Sequence, residues 1–490
     1  IQDLHIYVGA PIPPAMYEWM RTLGISDLPI DVSAHDFGSR AMLEEWNREL
    51  RSYRGSVFVS ELGCGGMADL DEVVAGFGDQ MHLRDAREMK AFRDSLYEGF
   101  QARGLGRIFG SVGDLIRATQ AAQSAGLTRQ IEALLVNPRV SGYIVTQLND
   151  VAWEFHAGLL DHWRNPKPVY HALKRLHRPH CLILKAATPV VTCGDCVDVA
   201  LTLVNQDLLR GGEQVRVTVV DPAGNEAEMS PLAAPPVVGI NELGVIPIQT
   251  GQTEGEYGVS AQLVRDGMTL AESSEWILSL SAIDVPVDSA DVVNWGTQGK
   301  DGEDGRPEPG ERADGSRVVL AANPASLTEG EWDQLLARVE AGWTAIVGPM
   351  TYRDDLALRL LNRRGIDVQL HLGIGNWMGC FHWVPDSDLF AGLPAGGLAG
   401  EAYVDVLPWY VMTELGGQVL AGSIRNTQTR REPPAMLWYS DIEAVRLGQG
   451  VIFFCQYRIF EKAEANPLAT RLLRNLIQLA KTYQRRSGGR

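Results

Sequence analysis

The chain has 490 residues, 45% of them hydrophobic and 21% charged, the make-up of a soluble globular protein. Its length calls for roughly two to four domains. With 61 acidic against 44 basic side chains the net charge is -17, which would repel a nucleic-acid backbone, and no apolar run approaches the roughly 20 residues of a membrane helix, so neither partner is expected.

The chain opens at Ile1 inside a strand-like segment, Asp3-Leu-His-Ile-Tyr-Val-Gly, with no initiator methionine and no signal peptide. Sequence upstream is expected, and any targeting signal would lie there. Localisation is therefore open, with six scattered cysteines favouring a reducing, cytoplasmic setting. Strands are predicted at Leu4–Val8, Ser56–Ser60 and Gly142–Leu148. Between the last two, Val112–Asn137 carries Leu115, Ile116, Gln120, Leu127, Ile131, Leu134 and Leu135 at helical spacing and ends before Pro138. After the third strand, Asn165-Pro-Lys-Pro leads into a helix over Val169–His177. Strand and helix in alternation imply parallel pairing over residues 1–180.

Residues 181–281 change character. Val197-Asp-Val-Ala-Leu-Thr-Leu-Val-Asn, Gln214-Val-Arg-Val-Thr-Val-Val-Asp, Glu256-Tyr-Gly-Val-Ser-Ala-Gln-Leu-Val and Glu275-Trp-Ile-Leu-Ser-Leu all alternate polar and apolar residues. Short alternating strands separated by turns read as an immunoglobulin-like β-sandwich. The Cys193-Gly-Asp-Cys196 run reads as a β-turn, with no second cysteine pair at zinc spacing. Residues 282–490 return to α/β: strands at Val318–Ala322, Thr344–Gly348 and Val451–Gln456, helices at Thr328–Ala341 and Pro467–Tyr483. A doubly wound, flavodoxin-like sheet is predicted. The stretch 296–316, rich in Gly, Asp, Glu and Pro, reads as a mobile loop.

Glu61 carries the chemistry. It follows the β-prone segment Gly55-Ser-Val-Phe-Val-Ser and precedes Leu-Gly-Cys-Gly. The bland reading is a carboxylate capping the next turn. In a parallel β/α barrel, however, strand C-termini are where reactions are done. Two other strand ends share the pattern. His5 and Tyr7 fall on one face of the first strand by parity. The third ends Thr146-Gln-Leu-Asn149-Asp150, followed by Trp153 and Glu154. Polar residues with one stacking aromatic suit a sugar pocket. No residues call for a cofactor or a metal.

Gly142-Tyr-Ile-Val-Thr-Gln-Leu-Asn-Asp-Val-Ala-Trp-Glu-Phe-His-Ala-Gly-Leu-Leu-Asp-His-Trp-Arg-Asn-Pro-Lys-Pro resembles the last barrel strand and exit of glycoside hydrolase family 2. Val59-Ser-Glu61-Leu-Gly is similar to that family's seventh-strand nucleophile motif, and Asp3-Leu-His5-Ile-Tyr7 to its sixth strand. The resemblance implies the last three strands of a (β/α)8 TIM barrel over residues 1–180, then the sandwich. It implies a retaining exo-β-glycosidase of the galactoside, glucuronide or mannoside class, working by double displacement. Glu61 would be the nucleophile, and His5, Tyr7, Asp150 and Trp153 would orient the sugar. The family's acid/base is the Glu of an Asn-Glu pair ending the fourth strand. The chain's Asn-Glu pairs, Asn225-Glu226 and Asn241-Glu242, fall in the sandwich, so the isolated chain is expected to be inactive. The alternative is a non-catalytic carbohydrate-binding or assembly protein descended from a glycosidase.

The C-terminal part resembles the amidotransferase-like domain of some glycosidases, through Gly448-Gln-Gly-Val-Ile-Phe-Phe-Cys-Gln and Asn466-Pro-Leu-Ala-Thr-Arg-Leu-Leu-Arg-Asn-Leu. Neither Cys380 nor Cys455 sits in the Gly-x-Cys-x-Gly elbow such an enzyme needs, and Gly373-Ile-Gly375 lacks the lysine and helix of a nucleotide loop. A structural role, with homo-oligomer contacts or closure of one side of the sugar site, is expected there. Cys64 reads as loop packing.

Overall fold

A computed structural model describes residues 2–26, 40–151, 154–207, 209–285, 292–294, 318–373, 380–427 and 431–487. The loop expected at 296–316, Trp153 and most of the Gly373–Gly375 cluster lie outside the described residues. The chain is a multidomain α/β protein with several sheets and a mixture of helices and strands.

The first section is built on three parallel strands, β1 (Gln2–Ile6), β2 (Val57–Leu62) and β3 (Val140–Val145), in that spatial order. Parallel neighbours need long crossovers. Here α1 (Pro14–Thr22) and α2 (Arg40–Ser52) join β1 to β2, and α3 (Leu70–Gly76), α4 (Arg84–Ala102), α5 (Gly106–Phe109) and α6 (Val112–Leu135) join β2 to β3. Ser111 caps α6 by accepting from the Asp114 amide. Leu115, Ile116, Leu127, Ile131 and Leu134 are buried, as the spacing predicts. Period-2 alternation then divides the sheet. Leu4, Ile6, Val57 and Val59 pack with Met16, Met20, Leu127 and Ile131 in one core. The opposite face bears His5 and Ile144 and lies open, with Ile144 52% exposed. Strand ends differ from the expected ones by a few residues: β1 stops at Ile6, so Tyr7 stands just beyond it.

After α7 (Pro168–Leu176) come β4 (His180–Ala186), β5 (Val190–Thr192), β6 (Cys196–Asn205), β7 (Gln214–Val220), β8 (Glu226–Glu228), β9 (Leu232–Ala233), β10 (Gly239–Gln249), β11 (Gly255–Arg265) and β12 (Met268–Leu280). They form two sheets, β10-β6-β4 and β5-β12-β11-β7-β8 with β9 beside β7. Val199 and Leu203 from the first meet Val215, Val217, Val259 and Ile277 from the second in one apolar core. All four alternating segments read from the sequence are strands.

The last section corrects the doubly wound prediction. Its strands are β13 (Val292–Asn294), β14 (Val318–Ala321), β15 (Thr344–Val347), β16 (Leu370–Leu372), β17 (Phe381–Val384), β18 (Gly397–Leu398), β19 (Tyr410–Thr413), β20 (Gln418–Asn426), β21 (Met436–Leu447) and β22 (Gly450–Cys455). Only β13, β14, β15 and β22 run parallel; β21, β20, β17 and β18 continue the sheet antiparallel. The cause is local. Leu447 pairs with Gly450 across Gly448-Gln449, and Gly448 takes φ 60°, so a two-residue hairpin forces β21 against β22. The helices α8 (Glu329–Glu340), α9 (Asp355–Arg363), α10 (Ile459–Lys462) and α11 (Pro467–Ser487) complete this section. Thr328 caps α8 in a capping box, and Trp332, Leu335, Leu336 and Val339 form its buried face.

The sections are tied by charge. Arg129 of α6 meets Glu132 of its own helix, Glu275 of β12 and Glu401 of the last section. Arg103 forks onto Glu414, and Arg471 onto Glu254. Among the described residues, no helix is long and apolar enough to cross a membrane.

Candidate active site

Glu61 reaches the open face because β2 breaks its own alternation. Val57 and Val59 point into the core, and strict alternation would send Glu61 after them. The register with β1 pairs Leu4 with Val59 and His5 with Glu61, leaving Ser60 as an extra residue. This bulge resets the parity. Ser60 and Glu61 are both half-buried on the open side, while Leu62 returns fully to the core. A carboxylate thus sits at the C-terminal end of the central strand without being dragged into the interior.

Two side chains of the β1 end hold it. The Tyr7 hydroxyl donates to Glu61 Oε2 at 2.5 Å. His5 Nδ1 lies 3.3 Å from the same oxygen. The expected shared face of His5 and Tyr7 is therefore real, and it converges on Glu61. The Glu61 side chain is 41% exposed, so a ligand can reach it. Burial, then the bond to the Glu61 carboxylate, pushes the Tyr7 phenol up to about 12, with the negative charges of Glu61 and Glu154 adding to the rise and a Thr146 hydrogen bond opposing it. Tyr7 is a donor at any ordinary pH.

The loop after β3 closes the second side. The Thr146 amide donates to the Leu62 carbonyl at 2.8 Å. A Cβ on Gly63 would come within 2.6 Å of the Thr146 oxygen, so only glycine fits between the two strand ends. Gln147 is held by backbone bonds to Ala157 and Leu159, and its Nε2 donates to Glu154 Oε2 at 3.2 Å. Glu154, which the sequence names after the third strand end without assigning it a role, comes near Tyr7 here. Its signal was its place eight residues after Thr146, which only the folded loop turns into proximity to Tyr7.

Asp150 stands apart from this group. It has no exposed surface, accepts from the Gly158 amide at 2.6 Å, and forks onto Lys167 Nζ at 3.2 and 3.1 Å. Lys167, itself buried, also donates to the Gly66 carbonyl at 3.0 Å. Burial pushes the Asp150 carboxyl up to about 7, with Lys167 pulling back, and burial drives the Lys167 ammonium down. The Gln123 amide donates to the carbonyls of Cys64, His156 and Gly158 in the same knot. A carboxylate so enclosed cannot meet a sugar hydroxyl, so the arrangement makes Asp150 an anchor of the loop rather than a sugar contact. Lys167 was missed because a lysine between two prolines reads as an exposed turn.

The cysteines are engaged elsewhere. Cys64 donates to the Gln123 carbonyl, Cys380 to that of Leu372 and Cys455 to that of Tyr457. Burial pushes all three thiols up to about 12. The buried His382 gives its Nδ1 to Asp441 at 2.8 Å, with Ser423 on the other carboxylate oxygen. A cysteine nucleophile activated by histidine has no basis in these bonds. Among the described residues, no group of three or more His, Cys, Asp or Glu could hold a metal ion.

No protein-family model and no curated protein matches the sequence. Among solved structures, the chain is similar to a β-D-mannosidase from Dictyoglomus thermophilum, at TM-score 0.34 and 17% identity, over 48% of this chain and 29% of that one. A β-glucuronidase from Parabacteroides merdae follows at TM-score 0.16 and 10% identity, over 37% and 22%. A glycosyl hydrolase family 2 member from Bacteroides cellulosilyticus gives TM-score 0.16 and 11% identity, over 38% and 26%. The chain spans less than a third of the length of each.

Proposed function

We propose that the chain forms one side of a retaining exo-β-glycosidase of the family 2 type, acting on terminal β-linked galactosides, glucuronides or mannosides with Glu61 as nucleophile. The observation that carries this is the convergence of Tyr7 and His5 on a solvent-accessible carboxylate at the C-terminal end of a central parallel strand. In this reading β1–β3 are the last three barrel strands, residues 181–281 an immunoglobulin-like sandwich, and 282–490 an amidotransferase-like domain kept for structure.

Double displacement assigns each group a task. A Glu61 oxygen attacks the anomeric carbon as the leaving oxygen departs with a proton from a second carboxylic acid. Tyr7 bonds the oxygen that does not attack, keeping the carboxylate oriented. The proton donor is outside this set. Glu226 and Glu242, of the two Asn-Glu pairs, lie in sandwich strands β8 and β10. The proposal therefore needs further barrel strands, and the acid they carry, from polypeptide beyond these residues.

The test does not need that acid. A 2-deoxy-2-fluoro glycosyl fluoride loses fluoride as the Glu61 ester forms, with no proton required. Mass spectrometry is expected to find the adduct on Glu61 and to find none in Glu61→Gln. A label on another residue would end the assignment. The second reading, a non-catalytic carbohydrate-binding protein, is favoured by the separation of the Asn-Glu pairs from the cleft; it predicts reversible sugar binding with no adduct.

A further inference from the structure

A second recess lies away from the cleft, where α6 and α7 meet β4, β11 and β12 of the sandwich. Its volume is about 350 Å³, within the range of small-ligand sites. Glu132 lines it, near the end of α6 that leads into β3, so the recess sits at the opposite end of the parallel strands from Glu61. Glu132 is 5% exposed. Its Oε2 accepts from Arg129 Nη1 at 3.0 Å, and among the described residues no hydrogen bond reaches Oε1. Arg129 is shared. Glu275 lies on its Nη2, Glu401 lies 3.3 Å from its Nε, and the next cation, Lys185, faces Glu275 at 3.7 Å. One guanidinium thus serves three carboxylates and leaves Glu132 half satisfied. Burial pushes the Glu132 carboxyl up to about 7, with Arg129 pulling back.

The rim carries the other sign. Arg175 in the last turn of α7 and Arg178 just beyond it line the opening. Both are exposed, and among the described residues neither makes an ion pair or hydrogen bond. His180 stands beside them with Nδ1 on Asn205 Oδ1 at 3.2 Å. Glu272 of β12 faces them across the mouth.

We propose that this recess binds a zwitterionic amino acid, its ammonium on Glu132 and its carboxylate between Arg175 and Arg178. An ammonium supplies the donor that Oε1 lacks, and a carboxylate suits the guanidinium fork. A simple anion meets Glu272 at the mouth and Glu132 at the floor. A simple cation meets the two arginines. A molecule bearing both signs turns each repulsion into a contact.

Isothermal titration calorimetry on the full chain tests this with glycine, β-alanine, γ-aminobutyrate and ε-aminocaproate, a ladder that finds the spacing of the two charges. Butylamine and butyrate each keep one charge only. One amino acid is expected to bind, and both single-charge probes to bind at least roughly tenfold more weakly, the loss of one hydrogen bond to a charged group. Glu132→Gln is expected to weaken the best probe by roughly ten- to hundredfold on the same ground. Arg175→Ala and Arg178→Ala, at exposed positions, are expected to weaken it severalfold without moving the urea midpoint, and they decide the matter even if Glu132→Gln does not fold. Glu61→Gln is expected to leave the affinity unchanged. Absence of binding by all four amino acids, a single-charge probe as tight as the best of them, an affinity unmoved by both arginine variants, or its loss in Glu61→Gln would overturn the proposal.

Discussion

Replacing Lys167 with methionine keeps most of the aliphatic stem and removes the only charge facing Asp150 within the Asp150–Lys167 pair. Asp150 has no exposed surface and Lys167 almost none, so water cannot compensate. Breaking a buried pair on one side costs about 3–5 kcal/mol, because an uncompensated charge stays behind. The variant can limit the loss by protonating Asp150, whose carboxyl burial already pushes up to about 7. The unfolded chain binds no such proton above about pH 4. Folding of the variant then takes up a proton, so its stability falls as pH rises, by up to about 1.4 kcal/mol per unit. Urea unfolding followed by tryptophan fluorescence at pH 6, 7 and 8 reads both quantities. Exchange of the Gly158 amide, which donates to Asp150, reports the site directly. In Asp150→Asn with Lys167→Met the loss should be well below the sum of the singles. A loss under about 1 kcal/mol at pH 8, with no slope, would show that the pair does not hold this loop.

Three further outcomes are expected. Tyr7→Phe deletes the bond to Glu61 and should slow adduct formation roughly ten- to hundredfold, the range for a hydrogen bond to a charged group, with little change in unfolding midpoint; an unchanged rate refutes the orienting role. The Arg471 bond, first, holds the Glu254 carboxyl down to about 2, so the tie between the sandwich and α11 is present above about pH 4.5 and is lost as pH falls toward 2. Hydrogen exchange across α11 should rise over that window, and a flat profile would discount the tie. A thiol reagent should react quickly at exposed Cys196 and not at Cys64, Cys181, Cys380 or Cys455 until urea is added; fast reaction at Cys380 or Cys455 in the native chain would reopen a nucleophilic role.

Much of the architecture was legible because it is written in short-range patterns. The 3.6-residue spacing in α6 and α8 and the alternation of β6, β7, β11 and β12 located those elements to within a few residues. The error in the last section came from equating α/β order with parallel pairing. Gly448-Gln449 was taken as the lead into a strand when it is the turn of a hairpin. One tight turn reverses half a sheet, since strand direction depends on connection length rather than on strand composition.

The candidate site divides the same way. By itself the amino-acid order determined that Glu61 ends a buried strand and that His5 and Tyr7 share a face, because both follow from residue type and the two-residue period of an extended chain. The tertiary structure alone decided that Glu61 faces solvent, since that depends on an extra residue at Ser60 visible only in pairing with β1. It likewise decided that Asp150 belongs to Lys167 and that Glu154 belongs to the cleft. Burial and partnership are relations between segments far apart in the chain, and a carboxylate's role is set by what surrounds it, not by its neighbours in sequence.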